Sequence, residues 1–201
     1  ESGIQKREDI EEFLAAGIRN FLIGEAMMKA EDKAEKLAEF IGEEPRVQCK
    51  ICGISRERDI DFLNDALPDY AGFIFARSPR KVTPDKAAGL ISLLDPRIKA
   101  VGVFVNELPA IVAGYLEEGV IDLAQLHGNE SEEYIHSLRF RTGGELIKAF
   151  SIKTREDVEK AKKSSADYIL LDHGKGGTGE SFDWSLIRNM DRPYFLAGGL
   201  N

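Results

Sequence analysis

"IKAVGVFVNELPAIVAGYLEEGVIDLAQLHGNE", residues 98–130, holds two largely apolar runs at 100–105 and 122–126, separated by an amphipathic stretch at 107–118. The runs are continuous rather than alternating. A strand of that kind is covered on both faces, as in a parallel sheet flanked by helices. The stretch between them is long enough for the crossover that two parallel strands require.

The same alternation extends in both directions. Further strands are expected at 20–24, 47–51, 72–75, 146–150, 168–171 and 194–196. Helices are expected at 6–17, 29–43, 55–66, 84–94, 130–140 and 153–163, with a short one at 182–189. Eight strands and about eight helices in this order favour a (β/α)8 TIM barrel over a doubly wound open sheet. No G-x-G-x-x-G follows the first strand, and "GKGGTG" (174–179) is not closed as a P-loop.

The 201 residues are 43% hydrophobic and 31% charged, with a net charge of -8. That composition suits a soluble globular domain and gives no basic face for nucleic acid. No apolar run approaches the roughly 20 residues of a membrane span, and no secretory leader is visible. Neither nucleic acid nor a membrane is therefore expected as a partner. Two cysteines do not make a disulfide framework, and a reducing cytoplasm is the simplest setting. The chain opens at Glu1 without a methionine and stops at "LAGGLN", inside a glycine turn. A fragment cut at both ends is expected from this.

Barrels of this class carry their chemistry at the C-terminal ends of the strands. Those positions hold Cys52; Ser78, Pro79 and Arg80; Asn106; Gln125, His127 and Asn129; Asp172; and Gly198, Gly199 and Asn201. The cysteines of "QCKICGI" (48–54) are spaced C-x-x-C, which raises metal or redox use. On a strand, residues three apart face opposite ways, and no second cysteine pair or paired histidine completes a zinc site. Cys49 is expected to pack and Cys52 to reach the pocket. Arg80 suits a carboxylate or phosphate, or is a surface charge before the next helix. "HGNE" (127–130) reads as a loop with Asn129 as helix cap and Glu130 in the first turn, or as part of the site. His136 and His173 read as surface residues. The glycines of 174–179 allow close backbone approach to an anion, or simply a flexible loop.

"KICGIS", "GFIFARSPRKV", "VGVFVN", "LAQLHGNE", "IKAFSI", "DYILLDHGKGGTGESFDW" and "FLAGGLN" together resemble phosphoribosylanthranilate isomerase of tryptophan biosynthesis, over about residues 46–201. The resemblance implies a (β/α)8 barrel that performs an Amadori rearrangement, without metal or organic cofactor. It implies Cys52 as general base, Asp172 as general acid and Arg80 as the residue holding the anthranilate carboxylate. It also places Gln125 and His127 among the substrate-binding residues. Gly177 and Gly179 of the "GGTG" loop and Gly198 and Gly199 of "AGGLN" would offer backbone N–H groups to the substrate phosphate. The alternative is a catalytically inert, phosphate-binding barrel fragment.

Residues 1–45 are similar instead to the tail of indole-3-glycerol-phosphate synthase, a second (β/α)8 barrel and a lyase. That resemblance implies substrate and phosphate contacts from Glu1, Ser2, Gly3, Gly24 and Glu25. It also implies a bifunctional natural chain, synthase first, with an isomerase barrel here lacking its last strand and helices. The strand at 20–24 would then fill the gap by pairing with 47–51 and 194–197, closing a hybrid, permuted barrel.

Overall fold

The computed structural model describes residues 5–15, 25–41, 47–173 and 182–198. The chain divides into two compact units, Glu1–Gln48 and Cys49–Asn201. The first contains α1 (Arg7–Ala15), α2 (Glu25–Lys29) and α3 (Lys33–Ile41). Arg7 Nη1 donates to the Phe40 carbonyl at 2.7 Å, joining α1 to the last turn of α3. Ile10 and Phe40 are buried in this unit. The segment 20–24 lies outside the described residues, and so does its expected pairing with 47–51 and 194–197.

The second unit alternates strand and helix. Its elements are β1 (Lys50–Cys52), α4 (Glu57–Ala66), β2 (Tyr70–Ile74), α5 (Pro84–Ile91), β3 (Lys99–Phe104) and α6 (Pro109–Glu117). They continue with β4 (Leu123–Leu126), α7 (Glu132–Arg141), β5 (Glu145–Ser151), α8 (Arg155–Lys162) and β6 (Tyr168–Asp172). A 3-10 turn at Trp184–Ile187 leads into β7 (Tyr194–Leu196). The seven strands lie in sequence order, each parallel to the next. This is the α/β architecture of a TIM barrel.

The sheet curls on itself. Tyr70 of β2 meets Phe195 of β7 edge to face, with ring centroids 5.3 Å apart, and Tyr168 of β6 meets the same ring at 5.9 Å. Those rings, with Val101, Leu123, Ile147 and Leu170, fill the inner face. The alternate residues, among them Ala71, Phe73, Ala100, Phe104, Leu126 and Leu146, pack outward. There they meet helix residues such as Ile60, Leu90, Val112, Ile135 and Leu138. Period-two alternation with both faces apolar produces the unbroken runs seen in the sequence.

The edges depart from expectation. β1 starts at Lys50 rather than at residue 47, because Cys49 N donates to Asp69 Oδ2 at 2.8 Å instead of entering the ladder. Among the described residues β1 and β7 each have one strand neighbour, so full cover fails there: Ile51 is 44% and Tyr194 40% exposed. Cys49 is exposed rather than packed. Helix α4 begins at Glu57 because the two residues before it serve its cap, Ser55 N and Arg56 N donating to the Asp59 carboxylate. The expected helix at 182–189 is one 3-10 turn, capped by Asp183 accepting from Ser185 N.

Candidate active site

The C-terminal ends of the strands gather on one rim. Cys52 closes β1 and pairs in register with Gly72 of β2. Gly72 shares strand parity with the inward-facing Tyr70, and a Cβ there would sit 2.7 Å from Cys52 Sγ and 2.9 Å from Lys50 Nζ. Cys52 and Lys50 therefore both occupy the inner face, side by side over a position that only glycine leaves open. Both cysteines are free thiols.

Arg80 reaches this strand end from the turn after β2. Its Nη1 donates to the Cys52 carbonyl at 3.1 Å, and its backbone N–H bonds Ser78 Oγ at 3.1 Å. The guanidinium covers Gly53, whose φ of +95° and missing side chain make room for it. Arg80 is exposed, and no carboxylate among the described residues pairs with it. A planar cation is thus presented at the rim next to Cys52.

Across the curl, Asp172 ends β6 on the same parity as the inward-facing Leu170. It is buried, and its Oδ1 accepts from His173 N at 2.7 Å. Its Oδ2 lies 3.7 Å from His127 Nε2. His127 follows β4, and its Nδ1 is 2.7 Å from Nε2 of the buried Gln125. In this amide orientation Gln125 donates, Nδ1 accepts, and the neutral ring carries its proton on Nε2, toward Asp172. Burial holds the His127 imidazole below its ordinary value; the Asp172 charge opposes this, while Lys148 and Lys50 add to it. The rim therefore offers a thiol, a carboxyl, a neutral imidazole and an exposed guanidinium, a set suited to moving protons on an anionic substrate.

Two expectations need correction. "HGNE" does not cap a helix with Asn129. Ser131 is the cap of α7, accepting from Tyr134 N, and Glu130 is buried before the helix as an acceptor for Asn106 N and Gly128 N. His173 is half-buried beside Asp172 rather than on the surface, whereas His136 is exposed. Of the remaining expected residues, Gly198 follows β7 with φ +82° and Glu25 opens α2. Glu1, Ser2, Gly3, Gly24, Gly177, Gly179 and Gly199 lie outside the described residues. Lys50, Gly72 and Lys148 were not singled out from the sequence. Lys50 was findable, since it lies two residues before Cys52 and must share its face.

The family model described as N-(5'phosphoribosyl)anthranilate (PRA) isomerase matches residues 49–201. The chain belongs to this family. The N-(5'-phosphoribosyl)anthranilate isomerase of Endomicrobium trichonymphae is 44% identical over 156 residues, 76% of either chain. That of Clostridium acetobutylicum is 44% identical over 163 residues, covering 77% of this chain and 78% of the relative. Among solved structures, the phosphoribosyl anthranilate isomerase of Thermotoga maritima superposes with a TM-score of 0.70 at 36% identity, over 78% of each chain. A phosphoribosyl anthranilate isomerase in complex with reduced 1-(o-carboxyphenylamino)-1-deoxyribulose 5-phosphate gives 0.67 at 35% identity, over 78% of this chain and 77% of the other. As a phosphoribosylanthranilate isomerase the chain is an enzyme of tryptophan biosynthesis, an aldose–ketose isomerase. No helix among the described residues is long and apolar enough to cross a membrane.

Proposed function

We propose that this isomerase converts N-(5-phosphoribosyl)anthranilate to 1-(2-carboxyphenylamino)-1-deoxyribulose 5-phosphate with Asp172 as acid and Cys52 as base. The reaction moves hydrogen without adding or losing atoms. Asp172 gives a proton to the ribose ring oxygen, the C1′–O4′ bond breaks, and the nitrogen lone pair forms an iminium. The Cys52 thiolate then takes the C2′ proton, and the C–H electrons flow into the iminium to leave an enolamine. Tautomerisation to the ketone returns a proton to C1′ and releases the one on the C2′ hydroxyl. His127 and Gln125 line the acid's side of the pocket, and Arg80 offers its guanidinium to the anthranilate carboxylate.

The observation that carries this reading is the arrival of Cys52, Arg80 and Asp172 at one rim, with both proton-transfer groups on the inner face. Gly198 supports a phosphate site: its positive φ after β7 turns the backbone at a strand end, and Gly199, Gly177 and Gly179 would complete the donors. The test is turnover of phosphoribosylanthranilate by the chain, with Cys52→Ala and Asp172→Ala as variants. Product formation abolished in both supports the assignment. Binding without turnover in the unsubstituted chain favours the inert phosphate-binding reading.

Residues 1–45 are read as the tail of an indole-3-glycerol-phosphate synthase, which would make the natural chain a bifunctional lyase–isomerase of the cytoplasm. Two observations favour this: the family match begins only at residue 49, and residues 1–48 form a unit of their own. Glu1, Ser2, Gly3, Gly24 and Glu25 would then serve the synthase barrel, and the gene upstream of Glu1 should encode the rest of it.

A further inference from the structure

Behind the rim, the second unit buries a complete ion pair that the proton transfers do not use. Lys148 lies on the outer face of β5, two residues from Leu146, which packs against the helices. Its Nζ is 2.8 Å from Glu130 Oε2, and the two side chains are only 6% and 1% exposed. The same ammonium donates to the Gly128 carbonyl at 2.7 Å and the Leu126 carbonyl at 3.3 Å. Glu130 in turn accepts from Gly128 N at 2.9 Å and from Asn106 N at 2.7 Å.

All of these partners but Asn106 flank His127. The carbonyl before it, the amide after it and the next carbonyl are all gripped by the pair. His127 N itself donates to the Phe104 carbonyl at 2.8 Å. Asn106, with φ +51°, adds a second tie, its Oδ1 accepting from Asn129 N at 2.7 Å. The fit leaves no slack, since a Cβ on Gly128 would stand 2.5 Å from Asn106 Oδ1 and 2.8 Å from its backbone nitrogen. Taking two charges out of water gives little net stability compared with apolar packing. The geometry supplies a different reason for keeping them.

We propose that the Glu130–Lys148 pair is a positioning latch, which fixes the peptide around His127 from behind the sheet and so sets its imidazole against Asp172 and Gln125. The latch rests on placing His127 in the isomerase site. It acts through His127 and touches no substrate. The charged groups felt by His127 are Asp172 on β6, Lys50 on β1, Lys148 on β5 and Glu130 before α7.

The test replaces the pair by Glu130→Leu with Lys148→Met, which removes both charges together and strands neither. The expected result is a kcat lowered about tenfold or more with KM changed less than about threefold, the pattern of lost transition-state alignment. The NMR titration of the His127 imidazole should also move up toward its ordinary value as the ring gains solvent and freedom. Leu138→Ala, a buried α7 change, is the control: at an equal or larger drop in Tm it should leave the His127 titration in place. If the double variant does not fold, Glu130→Gln with Lys148→Met, which keeps an acceptor for Asn106 N and still removes both charges, is read in the same way. A folded variant with kcat within about twofold of the parent and an unmoved His127 titration overturns the latch. The NMR arm needs no turnover, so an inactive parent chain would count against the isomerase assignment and leave the latch to be judged by the titration. Only three histidines are present, which keeps the spectrum assignable.

Discussion

Arg80 Nη1 donates to the Cys52 carbonyl at 3.1 Å, and the guanidinium occupies the space above Gly53, where an added Cβ would come within 2.6 Å of it. One contact thus ties the cation of the β2 turn to the thiol-bearing strand end. Arg80→Ala should raise KM about tenfold or more while lowering kcat less, because it removes binding that substrate and transition state share. Arg80→Lys should recover only part of the loss, since a point charge does not reproduce the planar fork. Stability should change by less than about 0.5 kcal/mol, as expected of an exposed side chain. A variant with unchanged KM would remove Arg80 from substrate binding.

The two thiols should behave differently. Cys52→Ala should lower kcat by about 10²–10⁴, the range for loss of a general base. Cys49→Ser, at an exposed position before the sheet, should retain parental kcat and KM. Steady-state kinetics on both variants settles the matter, and near-parental turnover by Cys52→Ala would end its role as base.

Gly72 is required by its neighbours across the ladder. In Gly72→Ala the methyl would press on Cys52 Sγ and Lys50 Nζ and come within 3.2 Å of Cys52 Cα, so the strand end must shift. Overpacking of this kind costs about 1–3 kcal/mol. Urea unfolding should show that loss, and kcat should fall more than stability alone explains, because the displaced group is the thiol. An unaltered kcat would mean that Cys52 is not held where the chemistry needs it.

His127 makes stability depend on pH. Burial first, with Lys148 and Lys50, lowers its folded value below the ordinary 6.5, and the opposing Asp172 charge does not restore it. Above that ordinary value both states are neutral and this group contributes no difference. As the pH falls below it, the unfolded chain takes up the proton first and the native state loses stability, until the pH passes the lower folded value. Urea unfolding followed from pH 8 to about pH 5 should therefore show a loss in the parent that is smaller in His127→Asn. Parallel curves for the two would show that the imidazole is not buried neutral.

The central strands were legible because their signal is local. The run at 100–104 is apolar at every step since alternate residues face the barrel interior and the helix layer, both dry. The outermost strands were less legible. "VQCKI" looks like the other runs, but Asp69 draws the Cys49 amide away and starts β1 three residues late. No local pattern announces that contact, which spans twenty residues. The same holds at "HGNE". Asn129 and Ser131 are both good caps, and the choice of Ser131 follows from Glu130 turning inward to Lys148, eighteen residues away on another strand.

By itself the sequence determined the order of strands and helices from β1 to β6, the parallel α/β class and the family, since periodicity and contiguous motifs depend on residues close along the chain; in the first unit it missed α2 and ran one helix over 29–43 where α3 spans Lys33–Ile41. Tertiary structure alone decided that Tyr70 packs on Phe195, that Arg80 lies over Gly53, that Asp172 stands 3.7 Å from His127, and that a buried ion pair grips the loop behind it. Each of these joins residues well separated along the chain. Their distances are set by the curl and register of the whole sheet and by charges that must find partners once buried, and neither is encoded in a local stretch.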